Sequence, residues 1–160
     1  MNNPIFLTIA ALIEQRISGI SQADGFAHDL GQSVYVNGMV PVPLDDDGTP
    51  HPGTVLVEPG ESTSTVDGGD VRMSTAPIEA RFDRTVEVLV VWPIEDKSQW
   101  LMLSEQIALD LRTALYADQS ELQNASIVSI RQVSQESSFP QTGANSLIVK
   151  LDFLIRYVGN

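Results

Sequence analysis

The chain contains no cysteine, which excludes disulfides, thiolate nucleophiles and cysteine-based zinc sites and fits maturation in a reducing cytoplasm. It is also poor in basic residues. Nine Lys and Arg stand against 21 Asp and Glu, a formal net charge of −12, whereas groove binding to DNA depends on Lys and Arg that neutralise phosphates. Long apolar runs are missing too: stretches such as Val88–Trp92 fall far short of the roughly 20 residues a membrane span requires. The start, Met1-Asn2-Asn3-Pro4, has neither the basic region nor the cleavage site of a signal peptide, so a non-secreted protein is expected.

Histidine is scarce, with only His28 and His51. Neither has a second histidine at the helical spacing of a metal site, and no Gly-x-Ser-x-Gly elbow accompanies His28, which therefore reads as an ordinary loop residue. Asp45-Asp46-Asp47-Gly48 looks superficially like a calcium loop. An EF-hand aligned on Gly48 would need an acid at 43 and a glutamate at 54, where Pro43 and Thr54 stand. A solvated turn fits better than a cation site. No glycine pattern of a nucleotide-binding loop is present. No catalytic constellation, metal site or cofactor site is expected.

What is present suits one domain: 160 residues, 42% of them apolar. The acids are unevenly placed. No Lys or Arg lies between Arg16 and Arg72, while Asp24, Asp29, Asp45, Asp46, Asp47, Glu58, Glu61, Asp67 and Asp70 all do. This segment is read either as a solvated acidic surface or as a face that must repel something negative.

Asn3 and Pro4 form a helix start, and Phe6, Ile9, Ile13, Ile17 and Ile20 recur at helical steps, which predicts a helix over about 4–18. Residues 33–40 read as a short strand or hairpin with an Asn37-Gly38 turn. Six prolines and several glycines then punctuate 41–76, read as an extended acidic arm within which Val55–Val57 is at most a brief strand. A strand ending at Trp92 is stopped by Pro93. A second helix is expected over about 98–117, with Trp100, Leu103, Ile107, Leu111 and Leu115 as its stripe, Leu101, Ala108 and Ala114 alongside, and Asp96 or Ser98 as its cap. A strand over 126–134 and a polar loop over 135–145 follow. The last strand alternates from Leu147 to Val158 without a fault. At about 3.3 Å per residue it reaches roughly 40 Å against about 26 Å for residues 85–92, so it must bend, bulge or run beyond its partners; an unpaired portion would be an open edge, with Lys150, Asp152, Leu154 and Arg156 as a candidate subunit-contact strand. The order of elements predicts an α+β fold: two helices on one face of a mainly antiparallel sheet, plus the arm.

In layout the chain resembles the tail terminator (tail completion) proteins of tailed bacteriophages. The resemblance rests on the helix Ile5–Ile17, the strand Val86–Trp92 with its acidic turn Glu95-Asp96, and the helix carrying Ile107-Ala108-Leu109-Asp110-Leu111-Arg112-Thr113-Ala114-Leu115. It ends on Asp152-Phe153-Leu154-Ile155-Arg156-Tyr157 and covers about two-thirds of the chain; segment 41–76 departs from it. The resemblance implies a hexameric ring in the virion, assembled in the host cytoplasm. The ring would cap the tail tube, stop its polymerisation and join it to the head connector while DNA passes through. It implies no catalytic residues, no cofactor and no membrane. With a DNA conduit in view, some of Asp45, Asp46, Asp47, Glu58, Glu61, Asp67 and Asp70 are expected to face the channel or a neighbouring ring. Three other classes are weighed against it: another head–tail joining or tail-tube component, a cytoplasmic adaptor whose acidic segment mimics nucleic acid or binds a basic partner, and an enzyme of unrecognised type.

Overall fold

Apolar residues at three- and four-residue spacing do build the first helix. The computed structural model describes residues 5–36, 41–46, 48–66, 80–139 and 145–159, and its first element is α1 (Ile5–Ser18), which buries Phe6, Ile9, Ala10, Leu12, Ile13 and Ile17. Burial of each large side chain contributes about 1.5–3 kcal/mol. The expected Asn3-Pro4 start, like the Asn37-Gly38 turn, lies outside the described residues. After α1 the chain makes two single 3-10 turns, Gln22–Asp24 and Leu30–Gln32. At Gly31 it passes so close to the helix end that a Cβ would stand 2.2 Å from the Ser18 carbonyl oxygen, so only glycine fits.

Five strands form one sheet: β1 (Val34–Val36), β2 (Thr54–Val66), β3 (Ala80–Pro93), β4 (Ile127–Ser138) and β5 (Ser146–Gly159), in the order β1-β2-β3-β5-β4. Only β1 and β2 pair in parallel. Between β3 and β4 lie α2 (Trp100–Tyr116) and the short α3 (Gln119–Asn124). The fold is thus α+β, with its two long helices on one face of a mainly antiparallel sheet.

Four expectations are corrected here. First, residues 54–66 are not part of an arm but a full strand beside β3. The sequence hides it because Pro59 and Gly60 read as breakers, yet both sit at a register shift between Pro59 and Ser62, where a sheet tolerates them. Gly60 is needed there, since a Cβ would lie 2.8 Å from the Thr85 carbonyl oxygen. Second, β5 does not overhang. It pairs with β3 without a register shift from Ser146↔Pro93 to Gly159↔Ala80, and β4 occupies its other side. Its expected open edge does not exist, because β3 has 14 residues and begins well before the apolar alternation that marks it in sequence. Third, Trp100 and Leu101 are 41% and 57% exposed, so the first turn of α2 lies outside the packed stripe, which Ile107, Ala108, Leu111 and Leu115 carry instead. Fourth, strand β4 continues to Ser138, through residues read as loop.

The two helices are joined by charge as well as by apolar packing. The half-buried Arg16 guanidinium donates to the carbonyls of Leu115 (3.2 Å), Ala117 and Asp118 (3.2 Å), closing the C-terminal end of α2 where a cation suits the helix dipole. The buried Asp110 carboxylate accepts from the backbone N–H groups of Ala27 (3.2 Å) and His28 (3.1 Å), pinning that loop to α2. Asp96 caps the 3-10 turn Lys97–Gln99 that leads into α2, accepting from the Ser98 N–H at 3.0 Å, whereas α2 itself starts after Gln99 with no side-chain cap.

Candidate functional site: the helix-free face of the sheet

Alternation divides every strand between two faces. Val86, Val88, Val90, Leu147, Val149, Leu151, Phe153 and Ile155 are buried toward the helices. Their neighbours in sequence point the other way, where no helix of the described residues lies. Cross-strand partners share a face, so the register builds this second surface row by row. Leu56, Leu89, Lys150 and Glu136 form one row; Glu58, Glu87, Asp152 and Ser134 the next; Thr85, Leu154 and Arg131 another; and Thr63, Asp83, Arg156 and Ser129 a fourth. Leu56, Leu89, Ile148, Leu154 and Val158 are half-buried there. At one end, Thr54 and Val91 are buried.

Two cations of this face, Arg156 and Lys150, are engaged by its own carboxylates. Arg156 reaches Asp83 with two hydrogen bonds, 2.8 and 3.0 Å. The hydrogen bond from Arg156 holds the Asp83 carboxyl below its ordinary pKa, and Asp83 raises that of the guanidinium. Lys150 lies 3.5 Å from Glu87, whose charge, followed by its hydrogen bond, raises the lysine pKa. Asp152 accepts from the Ser134 hydroxyl at 2.7 Å. Such pairs contribute little stability where water reaches them. Their larger effect is on what the surface offers to a ligand.

The expected site residues are distributed unevenly over this frame. Glu58 lies on the helix-free face, in the same row as Asp152, so members of two separately expected groups meet there. Lys150, Leu154 and Arg156 share that face rather than a strand edge. Glu61 is exposed at the irregularity in β2. Asp45 and Asp46 are exposed in the loop before β2, where Asp45 contacts His51 Nδ1 at 2.5 Å. Asp47, Asp67 and Asp70 lie outside the described residues. Sequence reasoning missed Asp83, Glu87 and Arg131. The alternation Arg81, Asp83, Thr85, Glu87 was there to be read, but its polar members looked like a strand not yet begun.

Elsewhere the described residues hold no group of three or more His, Asp or Glu able to bind a metal ion. His28 is half-buried, its ring 5.7 Å from that of Trp92 and its Nε2 3.1 Å from Gln106 Oε1. A recess of about 300 Å³ lies between the end of α2, α3 and the start of β4, lined by Tyr116, Leu122, Ile127, Val128 and Ile130 with polar neighbours. At the opposite end of α2, Trp100, Leu101 and Met102 are exposed, and the Phe139 ring lies beneath Lys97. No helix among the described residues is long and apolar enough to cross a membrane. Compared with protein-family models and with curated proteins, the chain matches none.

Proposed function

We propose that this chain is a structural ring subunit of the tail-terminator type that its layout resembles. Copies stand side by side with their helices outward and the helix-free sheet face toward a central channel. The ring caps a phage tail tube and passes DNA to it from the head connector. The observation that supports this most is the self-neutralised helix-free face. A conduit must not hold its cargo, and phosphates are held by cations free to release counterions. Here Arg156 and Lys150 are already occupied by Asp83 and Glu87, and Glu58 and Asp152 add negative charge in the middle row. The effect is local, because screening confines it to about 8 Å at physiological salt. The exposed apolar side chains of Trp100, Leu101 and Met102 at the start of α2 are then a surface for the tube or connector.

Negative-stain electron microscopy of the purified chain, alone and with tail tubes, tests this reading. Closed rings with a central hole, found free or at one end of tubes, are the expected result. Tubes of uncontrolled length in the absence of the protein are expected as well. A chain that binds neither itself nor tubes would contradict the proposal. An acidic adaptor, by contrast, would stay monomeric or dimeric with a basic partner.

A further inference from the structure

The two edges of the sheet carry opposite charges at the same height. On β4, Arg131 is exposed; its charge is felt at Asp83 across the helix-free face, but it makes no hydrogen bond or ion pair among the described residues. It is paired in register with Leu154 of β5, which is opposite Thr85 of β3. On β2, exposed Glu61 falls between Pro59, opposite Val86, and Ser62, opposite Arg84. Glu61 is therefore also level with Thr85, on the other margin of the sheet. It likewise has no polar partner among the described residues. Three strand spacings, about 14 Å, separate β2 from β4, so the two groups are far apart within one chain. A sideways step of one sheet width brings Arg131 of one copy against Glu61 of the next.

The margins are shaped for side-chain contact rather than for strand addition. Strand β4 has register shifts between Ile127 and Ser129 and between Gln132 and Ser134. The residues at those shifts, Val128 and Val133, are 54% and 49% exposed and put apolar surface on the same margin, Val128 at the recess beside α3. The Gln132 N–H is taken by the Tyr116 hydroxyl at 2.8 Å. On the other margin, β1 pairs only with Val55–Val57, and the stretch beyond carries Pro59 and its register shift. Bulges, proline and charge all blunt backbone pairing at an edge.

We infer that Arg131 of one copy pairs with Glu61 of the next, Val128 and Val133 packing around the pair, and that this contact sets the head-to-tail direction of assembly. The occupant is a second copy because the charges are complementary and lie on opposite margins. Such a contact is heterologous, and it generates closed rings or open chains rather than two-fold dimers. The inference rests on the ring reading and supplies its subunit contact. Nucleic acid fits less well, since a single guanidinium at the edge of a strongly acidic chain, its charge already felt at Asp83, offers little to phosphates.

Charge reversal tests it. Arg131→Glu and Glu61→Arg are each expected to weaken self-association by about tenfold or more, as like charges placed opposite one another do. Combining them should restore it. Glu95→Arg, which makes the same charge change as Glu61→Arg at an exposed site beyond β3, should leave association as in the wild type. Sedimentation across a concentration and salt series gives the affinities, circular dichroism checks the fold, and the neutral Arg131→Gln and Glu61→Gln replace any reversal that fails to fold. Association unchanged by Arg131→Glu, or not recovered by the double reversal, would overturn the contact. Rings that ignore the reversals refute the contact and keep the ring. Swap-dependent dimers or open chains keep the contact and refute the ring. A wild-type chain monomeric throughout refutes both.

Discussion

The two faces of the sheet are built from the same strands, yet they solve different problems. Toward the helices, Phe153, Leu151 and Val88 are 1% exposed or less, and cohesion there comes from removing apolar area from water. One residue along, Leu154 and Leu89 are half-buried among paired charges, in a setting that contributes little to folding. A one-residue change of position therefore moves a side chain from stability to surface chemistry. This separation lets the chain keep a stable core while the other face is tuned for a role.

Truncation is the most forceful way to break that comparison. Phe153→Ala should cost about 3–5 kcal/mol of folding stability, read as a large fall in the urea midpoint. Leu154→Ala, beside it, should cost less than about 1.5 kcal/mol. Equal losses would mean that the second face is also core. Next in size is Asp110→Ala, which strands two backbone N–H groups at a buried site. A loss of about 1–3 kcal/mol is expected, with faster hydrogen exchange at Ala27 and His28. The face itself is probed by Asp83→Asn with Glu87→Gln. Freed from their carboxylates, Arg156 and Lys150 should retain DNA at low salt and release it steeply as salt rises. A double variant that retains no more DNA than wild type would remove the self-neutralisation argument.

The smallest effect is a pH dependence. Asp83 has its pKa lowered on folding by the hydrogen bond from Arg156, so its contribution is fully present above the ordinary carboxylate value. It is lost as pH falls through the depressed one. Asp83→Asn should accordingly be less stable than wild type near neutrality, and the gap should close in acid. A gap that persists at low pH would point to packing rather than charge.

Much of the core face was legible because burial on one side leaves a strict alternation, as in β5, or a helical stripe, as in α1. The helix-free face was harder to read, because half-exposed strands mix Leu, Thr, Asp and Arg. The starts of β3 and the ends of β2 and β4 are polar, and their strand conformation comes from ladder partners far along the chain. Helix α3 had a local signal after all: Asp118 accepts from the Glu121 N–H at 3.2 Å, the Asp-x-x-Glu pattern of a capping box. The acidic bias of residues 17–71 was plain in sequence. That Glu58 and Asp152 share a row was not, because register is a tertiary property.

The most direct test uses the absence of cysteine, which allows a single thiol to be placed at will. Leu154→Cys on the helix-free face and Leu109→Cys on the exposed side of α2 would each be labelled with a small gold cluster after assembly and imaged in projection. The account predicts density within the central hole for position 154 and around the outer rim for position 109. Gold on the rim from position 154, or in the hole from position 109, would contradict it.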